Sequence, residues 1–267
     1  MSVSLSMLAS GSRGNCALVA SARTRLLIDA GISCRETFKR LRSLGEDPRG
    51  LTAILITHEH TDHIYGLAML ARRLSIPIFM TGATHAAWAR AMRDENGERP
   101  KLAKLERFQS GQRFQIGDIE VRPFTIPHDA VDPVGFTFRV EGVKVSIATD
   151  LGYLPANVRD HLRNSDILVM ESNHDVEMLR VGPYPWSVKQ RVASNVGHLS
   201  NRKLAHFFAN DYDNSAAFVV LAHLSEQNNL PEIARREAEE ALSLRGGLFH
   251  NRVLLAAQSQ ALPPIRL

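Results

Sequence analysis

Cysteine is scarce in this sequence, and its scarcity excludes two kinds of protein. The 267 residues contain only two cysteines, Cys16 and Cys34, and they form no C-x-x-C motif. Neither a disulfide framework nor a thiolate metal site is therefore indicated. We expect both cysteines to be small, partly buried side chains.

Long apolar segments are missing as well. No run of residues is long enough to span a bilayer, and the first residues lack the charged, apolar and small-residue order of a signal peptide. A zinc finger, a helix-turn-helix and an arginine-rich tail are also absent from the sequence. We therefore expect a soluble, cytoplasmic protein without membrane contacts.

Length and composition fit one layered α/β domain. A chain of 267 residues, 44% of them hydrophobic, can bury a large core, and its net charge of +4 is compatible with an anionic substrate. The polar segment 94–100 is interpreted as a surface loop because strand patterns resume directly after it. We therefore predict a single domain over residues 1–267. Spacing and end signals predict helices over 33–44, 186–196, 200–210 and 231–244.

Four metal-capable side chains lie within six consecutive residues, where the sequence reads H-x-H-x-D-H from His58 to His63. The motif follows an apolar strand-like run and precedes a segment with helical spacing, so it lies at the carboxyl end of a strand, where open α/β sheets bind ligands. His58 and His60 are two residues apart in extended chain, point the same way and can share one metal. Asp62 and His63 lie at the turn into the helix and would face a second metal. Such ligands suit zinc or a similar divalent ion.

Other polar residues also follow predicted strands: Asp29, His128, Asp150 and His223. A carboxylate at the end of an apolar strand is costly to bury unless it is hydrogen-bonded, so we expect Asp29 to support the histidine loop. Asp150 could bridge two cations through its oxygens. A histidine in one strand-end loop is more often structural, but the repeated spacing makes these residues a set.

The type of these residues and their order along the chain resemble the motifs of the metallo-β-lactamase superfamily, and in particular those of its binuclear hydrolases. The resemblance covers nearly the whole chain and implies a four-layer αβ/βα sandwich of the α/β class. It also implies two divalent metal ions, zinc or manganese, with Asp150 bridging them. The implied ligands are His58, His60 and His128 for one ion, and Asp62, His63 and His223 for the other.

Shorter motifs are similar to those of the YycJ (WalJ) subgroup. These are S-G-S-x-G-N at 10–15, P-H-D-A at 127–130, E-S-N-H-D at 171–175, Y-P-W at 184–186 and G-H-L-S at 197–200. Members of that subgroup are regarded as 5′-to-3′ exonucleases on double-stranded DNA that are linked to mismatch repair. The resemblance therefore implies duplex DNA ends as the partner. The interval from Asp150 to His223 is too short for the inserted domain of β-CASP nucleases, and no tRNase Z arm is recognisable.

Chemistry at such a centre is predictable from its ligands. A hydroxide held between two cations is a nucleophile at neutral pH, and the cations stabilise the charge that develops on a phosphate. Asp62 is a candidate catalytic residue, as are His174 and His198, which could hold the phosphate or protonate the leaving oxygen. Structural roles for these two histidines remain open.

Four further residues are candidates for substrate binding: Ser12, Asn15, Asn173 and Ser200. Ser12 and Asn15 lie in a Ser/Gly loop that could cradle an anion or be only a turn. Asn173 could donate a hydrogen bond. Ser200 is a predicted helix N-cap, and a helix start presents free N–H groups to an anion.

Some residues predicted on the surface are weaker candidates for contacts with DNA. Arg35, Lys39, Arg40 and Arg42 are predicted on one helix and Arg72 and Arg73 on another, and they would neutralise DNA phosphates only if they flank the metal cleft. Tyr184 and Trp186 could stack on a terminal base or simply pack. We expect surface or packing roles for His85, His161, His206 and His250.

Two other functions remain open from the residues. One is hydrolysis of a small ester, either a thioester as in glyoxalase II relatives or a cyclic phosphate. The other is a non-catalytic regulator with the same fold, which the intact ligand set argues against.

Overall fold

Two β-sheets of seven strands each form the centre of the protein in a computed structural model. The structure describes residues 3–92, 102–244 and 251–267. The predicted surface loop at 94–100 and His250 lie outside these residues. The prediction of a single domain over 1–267 remains a prediction.

The first sheet has the strand order β14-β1-β2-β3-β4-β5-β6, and its strands run parallel from β3 to β6. Its other strand pairs are antiparallel. The strands are β1 (Ser4–Ala9), β2 (Cys16–Ala20), β3 (Arg25–Ile28), β4 (Ala53–Leu55), β5 (Ile78–Thr81), β6 (Leu105–Phe108) and β14 (Ile265–Arg266).

The second sheet has the order β13-β12-β11-β10-β9-β8-β7 and is parallel from β10 to β13. Antiparallel hairpins add β9, β8 and β7 at the other edge. The strands are β7 (Phe114–Ile116), β8 (Ile119–Thr125), β9 (Val134–Val140), β10 (Val143–Ala148), β11 (Ile167–Glu171), β12 (Phe218–Ala222) and β13 (Arg252–Leu255).

Helices cover the outer faces of both sheets. In chain order they are α1 (Cys34–Ser43), α2 (Thr61–Ile64), α3 (Leu67–Leu74), α4 (Gly82–Ala91), α5 (Ala156–Leu162), α6 (Val176–Val181), α7 (Trp186–Ala193), α8 (Asn201–Asn210) and α9 (Pro231–Ser243). None of the helices in the described ranges is long and apolar enough to cross a membrane.

Three layers of apolar side chains hold the four layers of backbone together. The inner layer joins the facing sides of the two sheets, with Leu26 and Leu55 opposite Phe136 and Phe138. A second cluster lies between the second sheet and helices α5, α8 and α9, and a third lies between the first sheet and α1, α3 and α4. Each large side chain fully buried in this way contributes about 1.5–3 kcal/mol. The predicted αβ/βα sandwich is confirmed.

Helix ends agree with the predictions except near α7. Ser33 caps α1 by accepting from the N–H of Glu36, as Ser200 caps α8 by accepting from Lys203. Helix α7 ends at Ala193 rather than Val196, because the chain turns there towards His198. At the turn, a Cβ on Gly197 would lie 2.1 Å from the Arg191 carbonyl oxygen, so only glycine fits.

Both cysteines are free and buried. Burial raises the pKa of each thiol above its usual value. The absence of a disulfide agrees with the sequence.

Candidate metal centre

Strand ends from both sheets meet at one edge of the sandwich. Asp29 follows β3 and His58 follows β4 in the first sheet, whereas Asp150 follows β10 and His223 follows β12 in the second. Asp29, Asp150 and His223 have left-handed backbones with φ of 60°, 61° and 55°. This conformation costs a non-glycine residue about 1–3 kcal/mol, and such strain is concentrated at functional sites.

One group of potential ligands consists of His58, His60 and His128. Their ligand atoms all lie within 4.8 Å of one another. His128 Nε2 is 3.2 Å from His60 Nδ1. This is the first half of the centre.

The second half consists of Asp62, His63 and His223, whose ligand atoms meet the same distance limit. Asp62 Oδ2 is 3.5 Å from the Nε2 atoms of both histidines. Asp150 lies between the halves: it groups with His58 and His63, and its Oδ2 is 3.3 Å from His63 Nε2.

Hydrogen bonds prepare most of these imidazoles in the same way. His63 Nδ1 donates to Asp29, His223 Nδ1 donates to Glu171, and both distances are 2.8 Å. His128 Nδ1 donates to the Gly197 carbonyl oxygen at 3.3 Å. An imidazole bonded to the protein through Nδ1 presents Nε2 to a metal in a fixed orientation.

Unpaired buried atoms show that this donor set suits cations. Within the described ranges, His58 Nε2, His223 Nε2 and Asp150 Oδ2 are buried without a hydrogen-bond partner. Buried polar atoms are rarely left unpaired, because desolvation without a partner is costly. Two divalent ions in the two halves would satisfy all three atoms.

The two halves differ in charge. Burial lowers the pKa of His58 well below its usual value and also lowers that of His128, so both imidazoles are neutral. Burial also acts on His63 and His223, but the carboxylates around them, Asp150 above all, outweigh it and raise both pKa values well above the usual one. Without metal, protons therefore neutralise the second half.

Glu171 is a buried carboxylate that connects several groups of the site, and no site role was predicted for it from the sequence. Its Oε1 accepts from His198 and His223 at 2.8 Å, and its Oε2 accepts from the backbone N–H groups of Leu151 and Leu199 at 3.0 Å. Burial alone would raise the pKa of Glu171, but the two imidazoles hold it at about 2. Because both oxygens are fully bonded, Glu171 orients histidines rather than binding metal. It is the last residue of β11, so the strand-end pattern could have revealed it.

Asp29 supports the histidine loop in the expected place. It accepts from the N–H of Thr57 at 2.8 Å and from the Thr57 hydroxyl at 3.0 Å, besides His63. The same hydroxyl is 2.9 Å from His58 Nδ1. Thr57 thereby links both halves to one carboxylate.

The Ser/Gly loop holds the motif instead of presenting an amide cradle. Asn15 donates through Nδ2 to Asp62 at 3.2 Å and through its backbone N–H to the Asp62 carbonyl oxygen at 2.7 Å, while its Oδ1 accepts from Gly11. The polar groups of Asn15 are thus bonded within the protein, and its predicted role in substrate binding stays a prediction. Ser12 is exposed and lines a cleft of about 280 Å³ beside Asp62.

Asn173 and Ser200 are also occupied within the protein. Asn173 Nδ2 donates to the His223 carbonyl oxygen at 2.8 Å, and Ser200 Oγ accepts from Lys203. The N–H of Asn201 donates to the His174 carbonyl oxygen, and the anion site expected at the start of α8 stays a prediction. These contacts position the loops that carry His198 and His223.

The two candidate catalytic histidines lie in different surroundings. His174 is buried, belongs to none of the ligand groups, and donates through Nδ1 to Asn173 at 3.3 Å. Burial lowers the pKa of His174 to about 4, so it is neutral and its free nitrogen carries no proton to give. The His198 side chain remains 18% exposed, with Nδ1 3.8 Å from Asp150. His198 is therefore the better placed of the two.

Some of the surface residues named above already make contacts within the protein, whereas others line a groove or are exposed. Arg40 donates to the carbonyl oxygens of Leu8 and Gln258, so it is structural. Arg35 and Arg73 line a groove near the motif, and Trp186 is 69% exposed. Among the histidines without predicted site roles, His161 packs on Phe124 with ring centroids 4.6 Å apart.

Comparison with known proteins agrees with this geometry. A family model described as a beta-lactamase superfamily domain matches residues 24–224. The exodeoxyribonuclease YycJ of Bacillus anthracis is 38% identical over 246 residues, which cover 92% of this chain and 91% of the relative. The exodeoxyribonuclease WalJ of Streptococcus pneumoniae is 36% identical over 229 residues, which cover 86% and 84%.

Among solved structures, the metallo-β-lactamase fold protein YhfI of Bacillus subtilis has a TM-score of 0.71 to this chain at 18% identity. The match covers 97% of this chain and 99% of that one, and it shows the fold alone. The chain belongs to the metallo-β-lactamase superfamily and, within it, to the group of the YycJ and WalJ proteins.

Proposed function

We propose that this protein is a metal-dependent phosphodiesterase that acts as a 5′-to-3′ exonuclease on double-stranded DNA. One observation carries the proposal: Asp150 groups with His58 and His63, one residue from each of two adjoining ligand groups, in a chain whose relatives are exodeoxyribonucleases. A carboxylate between two such groups suits a two-metal site, in which the ions stabilise the attacking and leaving oxygens of a phosphate ester.

The residues that would hold the ions are those of the two halves. His58, His60 and His128 would hold one ion, Asp62, His63 and His223 the other, and Asp150 would contact both. When bound, such a pair activates water at neutral pH and neutralises charge on the phosphate. Zinc suits the nitrogen-rich donor set. Manganese is the alternative working ion, and zinc in a purified sample would not exclude it, because zinc binds such sites more tightly and displaces manganese.

His198 would act on the leaving group. Its Nδ1 donates to Glu171, so Nε2 is the nitrogen left to meet the substrate. A positioned imidazole that binds the phosphate or protonates the leaving oxygen contributes about 10²–10⁴-fold in rate. Glu171 fixes the orientation of the ring through this hydrogen bond.

A groove next to the motif is the proposed path of a DNA strand. It is lined by Tyr65, Arg35 and Arg73 and has a volume of about 570 Å³. Tyr65 is 63% exposed and also lines the smaller cleft beside Asp62, so the two recesses adjoin. A base can stack on the tyrosine ring while the arginines neutralise phosphates.

The cellular setting follows from the substrate. An enzyme that degrades duplex ends acts where DNA is repaired. We therefore propose the cytoplasmic location and the role in DNA repair together with this function. The single-domain organisation over 1–267 is proposed on the same terms.

Digestion of a linear, 5′-phosphorylated duplex tests the function. Metal-stripped protein is resupplied with Mn²⁺ or Zn²⁺, and His60→Ala is assayed alongside to exclude a contaminating nuclease. Stepwise release of nucleotides by the wild type alone is the expected result. No release with metals demonstrably bound would reject the proposal and favour the small-ester hydrolase, which thioester and cyclic phosphate substrates would then identify.

The groove has a test of its own. Tyr65→Ala should raise KM for duplex DNA about tenfold, since stacking of one base contributes about 1–3 kcal/mol. Tyr65→Phe keeps the ring and should leave KM nearly unchanged. Equal KM values for all three proteins would place the strand elsewhere.

A further inference from the structure

A basic recess lies on the outer face of the second sheet, away from the metal centre. Strand alternation places Val121, Phe138 and Val145 in the inner core, and their neighbours therefore face outward. Arg139 is registered between Glu120 and Lys144 on the adjacent strands. The basic recess is formed by Arg113, Arg122, Arg139, Lys144, His161 and Arg163.

Few carboxylates neutralise this group. Asp160 and Glu120 both line the recess, and Asp160 is 3.6 Å from Arg163, with which it pairs. Glu120 lies opposite Arg139 on the adjacent strand, but no carboxylate of the described residues lies within ion-pairing distance of Arg113, Arg122 or Arg139. The lysine and arginine side chains in this concavity therefore outnumber its two carboxylates.

One basic residue of the recess is buried, and a second has a buried donor atom. Lys144 is 6% exposed, and its Nζ donates to the Arg163 carbonyl oxygen, which uses one of three ammonium hydrogens. Arg122 Nε is a buried donor without an acceptor among the described residues. A buried, unsatisfied charged donor is destabilising unless a ligand pairs with it.

The pKa values of two groups in the recess agree with crowding of positive charge. Burial lowers the pKa of Lys144 to about 8, and Arg139 and Arg122 act in the same direction, whereas Asp213 and Asp166 oppose them. Burial lowers the pKa of His161 to about 4, again helped by Arg122 and Lys144. An anion in the recess would relieve this repulsion.

We propose that the basic recess binds a small molecule through a phosphate monoester or inorganic phosphate group. Its volume of about 600 Å³ lies within the range of small-molecule clefts. Arginine pairs with phosphate through two parallel hydrogen bonds, and Arg122 and Arg139 are the donors best suited to this.

The recess is distinct from the metal centre. Lys144 lies near the start of β10 and Asp150 follows its end, so six extended residues, or about 20 Å, separate them. A short duplex is stiff, so one whose end enters the metal centre does not also bend around to this outer face. A small phosphorylated ligand is therefore favoured over the DNA substrate.

Calorimetric titration of metal-loaded protein with inorganic phosphate and with deoxyadenosine 5′-monophosphate tests the proposal. Arg113→Gln/Arg139→Gln removes two exposed arginines without disturbing the core, and Arg122→Gln removes the buried donor. Arg49→Gln is the matched control, because Arg49 is exposed elsewhere. His60→Ala reports any phosphate bound at the metal centre.

The wild type, Arg49→Gln and His60→Ala should bind with similar affinity at the recess. The double variant should bind about tenfold or more weakly, since charge-assisted hydrogen bonds are each worth about that factor. It should still digest DNA. Tighter binding of the nucleotide than of phosphate would indicate that the nucleoside also makes contacts, whereas equal affinity would indicate recognition of the phosphate alone.

Three results would overturn the proposal. The first is that neither ligand binds, and the second is that binding is lost in His60→Ala but kept in both arginine variants. The third is that an end-blocked single-stranded oligonucleotide binds through these arginines while the small ligands do not, which would identify a nucleic-acid surface instead.

Discussion

The two halves of the metal centre are built from similar ligands but are supported differently. In the first half, His58 is bonded to the Thr57 hydroxyl and His128 to the Gly197 carbonyl oxygen, which are both neutral groups. In the second half, the imidazoles are bonded to the buried carboxylates Asp29 and Glu171. Asp62 adds a third carboxylate as a ligand.

This difference teaches that the two candidate halves are distinguished mainly by the groups that support their imidazoles. A carboxylate behind an imidazole raises its basicity and fixes its orientation, so it strengthens metal binding. We therefore expect the second half to hold its ion more tightly and the first half to exchange its ion more readily. The price is that protons occupy the second half when metal is absent.

Removal of Asp150 should affect both halves of the candidate metal centre. Asp150→Ala removes the one carboxylate shared by both halves, so we expect loss of metal from both. Activity on duplex DNA should fall about 10³-fold or more, beyond the effect of removing a single electrostatic donor. Metal analysis after dialysis, with circular dichroism to verify folding, is the measurement. A variant that keeps both metals would contradict the bridging role.

A change at His198 should separate catalysis from metal binding. His198→Gln keeps a hydrogen-bonding group beside Glu171 but removes proton transfer, so we expect activity to fall about 10²-fold or more. Metal content should not change in either half. His174→Gln is the matched control and should have a smaller effect. The reverse order of effects would exchange their roles.

Changes to the supporting carboxylates test the difference between the halves directly. Glu171→Gln and Asp29→Asn should each weaken binding of one ion about 10–100-fold, as removal of such supporting groups does. Asp129→Asn makes the same chemical change beside His128, where Asp129 is already paired with Arg191. We expect that variant to bind both ions almost normally, as competition with a chelator would reveal. Equal losses in all three would mean that the halves are equivalent.

The pH dependence of metal binding should also differ between the two halves. His63 and His223 have pKa values raised well above 6.5, so an ion entering the second half must displace protons, and its affinity should rise with pH above that value. The gain is up to about tenfold per pH unit for each proton released. His58 and His128 have lowered pKa values and are already neutral at pH 7, so binding in the first half should change little. Calorimetry in buffers of different ionisation enthalpy counts the protons.

The residues predicted as ligands lie together in the structure because each follows a local pattern. The H-x-H-x-D-H motif is contiguous, and Asp150 and His223 share the strand-end position that parallel sheets bring together. The supporting contacts were harder to predict because they join distant segments. Glu171 contacts a histidine 52 positions away in the sequence.

Some contacts of the predicted site residues could not be foreseen for the same reason. The loop around Asn15 has the composition of an anion cradle, but its amide is needed to hold Asp62, which a sequence cannot reveal. Gly31 illustrates the closeness of that packing, since a Cβ there would lie 1.7 Å from the Asp62 carbonyl oxygen. The left-handed backbones of Asp29, Asp150 and His223 are equally invisible in the residue types.

Stepwise titration of metal-free protein with Mn²⁺ at pH 8, with binding heat and release of nucleotides from a duplex followed in parallel, tests the central claim most directly. Two unequal halves that share Asp150 predict two separable binding steps, with little activity after the first equivalent and full activity after the second. Full activity with one equivalent, or two identical and independent binding steps, would contradict it.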